Sequence, residues 1–191
     1  YNTRAVKKQD LPKRWADLLE PRWKGMLGVE AKSGEWYCTL LKSLGEEQGA
    51  RLFRDIGART GWSVRSGNSL LANLVASGEI PLALTVYSHM IDEAKQQGAP
   101  VDWFALQPMI GRSNGVGVSR RPQHPHAALL FYEYVIGEGQ AVIHKLHYLS
   151  PVKRLESALR GAKLVFVDPG TDSAEVERCD RAYEALITTK K

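Results

Sequence analysis

A chain of 191 residues with 43% hydrophobic and 25% charged residues has the composition of an ordinary globular protein, not of a disordered one. No apolar run is long enough to span a bilayer. The net charge of +5 is spread along the chain without an arginine–aromatic stripe, which argues against nucleic-acid binding.

The first hundred residues predict alternating helices and strands. Residues 11–25 (LPKRWADLLEPRWKG) predict a short helix that ends near Pro21 and Gly25. Further helices are predicted at 36–44, 46–57, 70–78 and 90–97. Asn68 or Ser69 is expected to cap the third of these. Extended segments are predicted at 26–30 and 62–67. The continuous apolar run IPLALTVY (80–87) predicts a strand in the middle of a buried sheet.

The second half predicts strands at VDWFALQP (101–108) and GVGVS (115–119), and a strong helix from His124-Pro125 to Ile136. Such alternation predicts an α/β fold with a mostly parallel sheet covered by helices. Two cysteines, Cys38 and Cys179, exclude a CxxC metal or redox site. They leave two alternatives open, a pair of buried thiols or one disulfide.

No constellation of residues indicates catalysis. The glycines of GRSNGVGVSR (111–120) lack the full dinucleotide fingerprint. The histidines lack carboxylates at zinc spacing, which favours surface positions. Ser33 lacks the GxSxG context of a hydrolase nucleophile.

Two strand-to-helix turns are the best candidates for a binding site. Ser33-Gly34-Glu35 opens one helix and Ser66-Gly67-Asn68-Ser69 opens another. Free helix-start amides and the helix dipole favour an anion, and ligands of open α/β sheets collect at the carboxyl ends of strands. Ordinary capping by Ser33 and Asn68 is the alternative interpretation. Polar Tyr87, Ser88 and His89 follow the central apolar run and favour a site.

Five stretches, kept in order and spacing, resemble bacterial extracellular solute-binding proteins, and most of all the ferric-iron-type binding proteins of ABC importers. They are YNTRAV, PKRWADLLEPRWKGMLGV, GEIPLALTVY, QGAPVDWFAL and HPHAALLFYEYVIGEGQ. The resemblance runs from Tyr1 to about Gln140, and the last fifty residues match only loosely.

The resemblance implies a type II periplasmic-binding-protein-like lobe, a mixed sheet flanked by helices, with helices that would complete a second lobe. It predicts residues 1–106 as the second, C-terminal lobe with an incoming hinge strand. Residues 107–160 would form the hinge return and helices of the first lobe, and residues 161–191 a C-terminal helix that packs back on the second lobe. The chain is thus expected to be the latter part of a binding protein that lacks most of its first lobe. The returning helix implies that Cys38 and Cys179 approach each other.

The resemblance also implies a ligand site. In the iron-type proteins the turn matching Ser33-Gly34-Glu35 presents amides to an anion, and the position matching Asn68 contributes. Those proteins carry adjacent iron-ligating tyrosines where this chain has only Tyr87 and His89 nearby, which favours an organic solute over Fe³⁺. The predicted ligand-binding residues are Ser33, Gly34, Glu35, Trp36, Asn68, Tyr87, His89 and Arg112, with no catalytic residue, metal ligand or cofactor.

The implied function is that of a periplasmic, non-enzymatic component of an ABC importer. It would bind a small anionic or zwitterionic solute, with ferric iron as the lesser option, and deliver it to a membrane permease. The apolar face of the helix at 125–136, with Leu129, Leu130, Tyr132 and Val135, is expected to cause dimerisation of the truncated chain. Two other functions are considered: a ligand-sensing effector domain of a transcriptional regulator, and an enzyme of porphobilinogen-deaminase-like architecture. The second would need a cofactor-bearing cysteine in a loop, whereas both cysteines lie in predicted helices.

Overall fold

The computed structural model describes residues 1–150 and 163–188, which fall into two units. Among the described residues, the first unit comprises 1–112 and 163–188, and the second comprises 113–150. The strands are β1 (Leu27–Glu30), β2 (Ser63–Arg65), β3 (Leu82–Ala83), β4 (Met109–Gly111) and β5 (Leu164–Phe166). The helices are α1 (Gly34–Leu44), α2 (Glu46–Thr60), α3 (Asn68–Ser77), α4 (Ser88–Gln96), α5 (Pro125–Ile136), α6 (Gln140–Lys145) and α7 (Ser173–Thr188).

Two parallel sheets organise the first unit. One sheet has the strand order β2-β1-β3, and the other pairs β4 with β5. Helices connect the parallel strands, as crossover connections require, and flank the sheets. The predicted α/β fold with helices covering a parallel sheet is confirmed.

The predicted first helix is wrong, because this part of the chain is not one continuous helix. Residues 11–25 form two 3₁₀ segments, Trp15–Leu19 and Pro21–Trp23. Pro21 has no N–H to continue the first segment, so the chain restarts there. The Asp17 carboxylate accepts hydrogen bonds from the backbone N–H groups of Lys13 and Arg14. These hydrogen bonds cap the N-terminal end of the first 3₁₀ segment.

The strands predicted from apolar runs are only partly right. IPLALTVY contributes just Leu82–Ala83, which lies at the edge of its sheet while β1 takes the middle. Pro81 cannot donate to a sheet ladder, which limits the strand at its start. The GVGVS segment contains no strand, and VDWFALQP contributes only the bridge of Val101 to Asn2. The spacing of apolar residues and the hydropathy of a segment do not show which strand it pairs with. For this reason the sequence did not predict β4.

An aromatic core stabilises the first unit. Trp15, Trp36, Tyr37 and Trp62 surround the Phe53 ring, with centroids 5.6–6.5 Å from it. Such pairs contribute about 0.5–1.5 kcal/mol each beyond their area burial.

The C-terminal helix α7 is an integral part of this core. Its Tyr183 and Leu186 are buried among the residues that pack on α1 and α2. Cys179 forms a disulfide with Cys38 of α1, at a Cα–Cα distance of 5.7 Å. Their predicted approach is confirmed. Lys42 and Glu175 add an ion pair of 3.1 Å between the same two helices.

The second unit exposes a large apolar area on its helices. No residue of α5 or α6 is buried. The exposed apolar side chains of these helices and of the residue that follows α6 are Leu129, Leu130, Phe131, Tyr134, Ile136, Val142 and Leu146. The predicted α5 face is correct for Leu129 and Leu130, whereas Tyr132 and Val135 are half-buried. A helix that is apolar around most of its circumference requires a covering surface.

Candidate binding edge at the strand ends

Three strand-to-helix turns lie side by side at the carboxyl end of the β2-β1-β3 sheet. Because the strands are parallel, the turns that open α1, α3 and α4 all leave from the same edge. We call this region, residues 30–35, 65–69 and 84–89, the carboxyl edge. It brings together Ser33, Gly34, Glu35, Asn68, Tyr87 and His89 of the predicted set.

A carboxylate that the sequence analysis missed links two of these turns. Glu30, the last residue of β1, is buried, with 6% of its surface exposed. Its Oε2 accepts hydrogen bonds from the backbone N–H of Lys32 (2.7 Å) and from the Ser33 hydroxyl (3.2 Å). Its Oε1 accepts one from the backbone N–H of Gly67 (3.2 Å). Glu30 therefore holds the starts of α1 and α3 at a fixed spacing.

The backbone of Glu30 extends this link to two further elements. Its N–H donates to the Thr85 hydroxyl (2.8 Å), just after β3. Its carbonyl accepts a hydrogen bond from the Tyr183 hydroxyl of α7 (2.7 Å), and burial raises the pKa of that phenol. A polar residue at the end of a buried apolar strand was the signal in the sequence that could have identified Glu30.

Gly34 has a packing role. It is buried, and a β-carbon built there would lie 2.7 Å from the backbone N and Cα of Asp180 in α7, with the Asp180 carboxylate also in contact. Only glycine permits this approach of α7 to the start of α1. Ser33 does not cap α1 with its side chain, because its hydroxyl binds Glu30. Contact of Ser33 and Gly34 with a ligand remains a prediction.

Asn68 presents an unsatisfied acceptor at the start of α3. Its side-chain Oδ1 is buried and has no hydrogen-bond partner among the described residues. The preceding residue, Gly67, has a φ of 99°, a conformation that favours glycine. A buried carbonyl oxygen without a donor is uncommon in folded proteins.

Tyr87 and His89 form the third part of the carboxyl edge. Their rings stack with centroids 5.7 Å apart and an interplanar angle of 19°. Tyr87 is 39% exposed, so its side chain is accessible to solvent. Burial lowers the pKa of His89, while the nearby carboxylates of Glu93 and Asp92 act in the opposite direction. The pair presents one phenol and one imidazole.

Two predicted residues have other partners. Arg112, which follows β4, forms an ion pair of 2.8 Å with Glu35 in the first turn of α1. Trp36 packs edge-on against Trp15 and Phe53, with centroids 5.9 and 6.0 Å apart. Trp36 packs on the core because it lies one turn before buried Leu40 on the same helix face, and its contact with a ligand remains a prediction.

Residues 1–150 and 163–188 contain neither a metal cluster nor a membrane span. No group of three or more His, Cys, Asp or Glu side chains there could hold a metal ion. None of the helices in those ranges combines the length and the hydropathy of a membrane-crossing segment.

Comparisons with known proteins place the chain in a recognised group. Residues 1–111 match the family model described as bacterial extracellular solute-binding protein. A solved structure of iron-bound HitA from Pseudomonas aeruginosa aligns with a TM-score of 0.61 and 19% sequence identity. The alignment covers 99% of this chain and 65% of the HitA chain, so the two share a fold over less than two thirds of HitA. A search of curated proteins found no match.

Proposed function

Because the chain belongs to the family of bacterial extracellular solute-binding proteins, we propose that it is the solute-binding component of an ABC importer. Its carboxyl edge would capture a small anionic or zwitterionic solute in the periplasm for delivery to a membrane permease. The observation that carries this proposal is that the whole edge lies within the residues matched to the family, 1–111, and includes a buried, unpaired acceptor at Asn68. No observation favours the regulator or the enzyme.

A thermal-shift screen of the full chain tests the proposal. The probes are inorganic phosphate, citrate, glutamate, glycine and ferric nitrilotriacetate. A solute at a hundred times its Kd stabilises the folded state by about 2.7 kcal/mol, which corresponds to a rise in Tm of roughly 5–10 °C for a chain of this size. If no probe raises the Tm and native mass spectrometry finds no co-purified solute, the proposal is wrong.

We expect Asn68→Ala to weaken binding of the solute found in this screen about tenfold or more, because one ligand hydrogen bond is lost. Titration calorimetry on the full chain measures the change. Asn73→Ala is the matched control, since Asn73 is an exposed residue of the same helix. Equal Kd values for the wild type and Asn68→Ala would mean that Asn68 does not contact the solute.

Ferric iron is the second candidate ligand, because the HitA structure that shares the fold is iron-bound. Tyr87 would then supply a phenolate, an oxygen ligand suited to Fe³⁺, with His89 beside it. Iron binding through Tyr87 predicts a visible tyrosinate-to-iron absorption band that is lost in Tyr87→Phe. A band that survives this substitution, or no band at all, contradicts the assignment.

We also propose that the apolar residues of α5 cause self-association of this chain. Leu130 and Phe131 are 70% and 64% exposed, and α5 has a single carboxylate, Glu133. Light scattering of the full chain is expected to show a dimer whose fraction increases with concentration, and Leu130→Lys should return it to a monomer. Glu133→Gln on the same helix is the control. A monomeric wild type at high concentration excludes the dimer.

A further inference from the structure

We infer that Tyr183 of α7 is a positioning residue of the carboxyl edge. Its hydroxyl supplies the hydrogen bond that the next step of the β1–β3 ladder would supply, and residues 85–89 leave the sheet as a result. The inference rests on the proposed function, because it makes Tyr183 necessary for the placement of Tyr87 and His89 in the proposed site. Tyr183 lies outside residues 1–111, which match the family model.

The backbone hydrogen bonds between β1 and β3 follow a regular spacing. The N–H of Leu84 donates to the carbonyl of Gly28 (3.0 Å), and the bond one step earlier ends on the carbonyl of Met26 (3.2 Å). Such bonds are evenly spaced in a parallel pair of strands. The next bond of the series would therefore join the N–H of Val86 to the carbonyl of Glu30.

Side chains replace this next step of the ladder. The Tyr183 hydroxyl donates to the Glu30 carbonyl at 2.7 Å, and the N–H of Glu30 donates to the Thr85 hydroxyl at 2.8 Å. Among the described residues the N–H of Val86 has no acceptor. The pairing of β1 with β3 therefore ends here, although the apolar run continues to Tyr87.

Tyr183 is held firmly where it makes this contact. Its side chain is 2% exposed, and its ring centroid lies 5.7 Å from that of Tyr37. Burial raises the pKa of the phenol, so the hydroxyl keeps its proton at neutral pH. Because a buried carbonyl needs a donor, this hydroxyl removes the requirement for Val86 to extend the ladder to Glu30.

The end of the ladder determines where the third turn of the carboxyl edge lies. Tyr87 is the N-cap of α4, which begins at Ser88, and the Tyr87 ring stacks on that of His89. One more step of pairing at Val86 would carry Tyr87 further along the strand direction, because each strand residue advances the chain by about 3.3 Å. The Tyr183 hydroxyl therefore sets the position of the phenol and the imidazole.

Amide hydrogen exchange followed by NMR on the full, oxidised chain tests this inference. In Tyr183→Phe, which keeps the ring, the Glu30 carbonyl needs a new donor. We expect the N–H of Val86 to take that role and to exchange about fivefold to tenfold more slowly than in the wild type. Tyr37→Phe is the matched control, because Tyr37 is buried in the same core and does not hydrogen-bond to Glu30. Thr85→Val removes the other hydroxyl at Glu30 and leaves Tyr183 in place, so Val86 should exchange as in the wild type.

Binding is measured on the same variants with the five probes of the thermal-shift screen. For any probe that the wild type binds, the Kd should rise about threefold or more in Tyr183→Phe and stay within about twofold in Tyr37→Phe. Unchanged exchange at Val86, or equal Kd values for the wild type and Tyr183→Phe, overturns the inference and leaves solute capture standing. If the wild type binds none of the probes, the proposed function is wrong, and exchange at Val86 still decides whether Tyr183 ends the ladder.

Discussion

Replacing both Cys38 and Cys179 by alanine is expected to lower the free energy of unfolding by about 2–5 kcal/mol. The disulfide closes a loop with a sequence separation of 141 residues, so its removal returns considerable conformational entropy to the unfolded chain. For a chain of this size the loss corresponds to a fall in Tm of roughly 5–20 °C. Alanine is preferred to serine because both cysteines are buried, at 6% and 3% exposure, and a buried hydroxyl would add its own cost.

Thermal and urea denaturation of the oxidised chain and the double variant measure this effect. The reduced wild type is the control and should match the variant to within about 1 kcal/mol, because both lack only the covalent link. Free-thiol titration of the unfolded, non-reduced wild type is the independent check. Two titratable thiols would show that the bridge is absent, and the expected difference in stability would then disappear.

Gly34→Ala is expected to destabilise the first unit by about 1–3 kcal/mol, because the new methyl group would press against the backbone of Asp180. Backbone atoms cannot turn aside as a flexible side chain does, so α7 must shift away from α1. Gly115→Ala is the matched control, since a β-carbon there meets nothing within 4 Å. Its effect should stay within about 0.5 kcal/mol of zero.

The effects of Gly34→Ala and of Cys38→Ala/Cys179→Ala on stability should not be additive. Without the disulfide, α7 is held to α1 mainly by side-chain packing and the Lys42–Glu175 ion pair, and it can move more easily to accommodate the added methyl group at position 34. A double-mutant cycle should therefore give a smaller effect of Gly34→Ala in the Cys38→Ala/Cys179→Ala background, by about 0.5–3 kcal/mol. Additive effects would mean that α7 is not what restricts residue 34.

The C-terminal helix α7 lies next to the candidate site. Asp180 lies against Gly34, and the Tyr183 hydroxyl donates to the Glu30 carbonyl. A shift of α7 is therefore expected to disturb the start of α1 and, through Glu30, the start of α3. Loss of stability and loss of solute binding should appear together in Gly34→Ala, whereas Asn68→Ala should change binding with little effect on stability.

The sequence by itself determined the local elements and the family. Period, caps and terminating glycines identified α1 and α3 within one or two residues, because these signals act over a single helical turn. The same local chemistry identified strand-to-helix turns as the best candidates for ligand-facing segments, and five ordered stretches identified the family that the match over residues 1–111 supports. The short strands β3 and β4 were less accessible, because apolar runs do not specify their partners.

Only the tertiary structure decided what occupies those turns. Sequence spacing could not show that Glu30 at the end of one strand would reach Gly67, 37 positions away, or that Asp180 would lie on Gly34. Nor could it choose between two buried thiols and a bridge from Cys38 to Cys179, which are 141 residues apart. Contacts of this kind depend on how sheets and helices pack over the whole unit. A local sequence pattern does not specify which distant residues will meet. The residues that precede α1 and α3 are therefore linked by the protein's own carboxylate, that of Glu30.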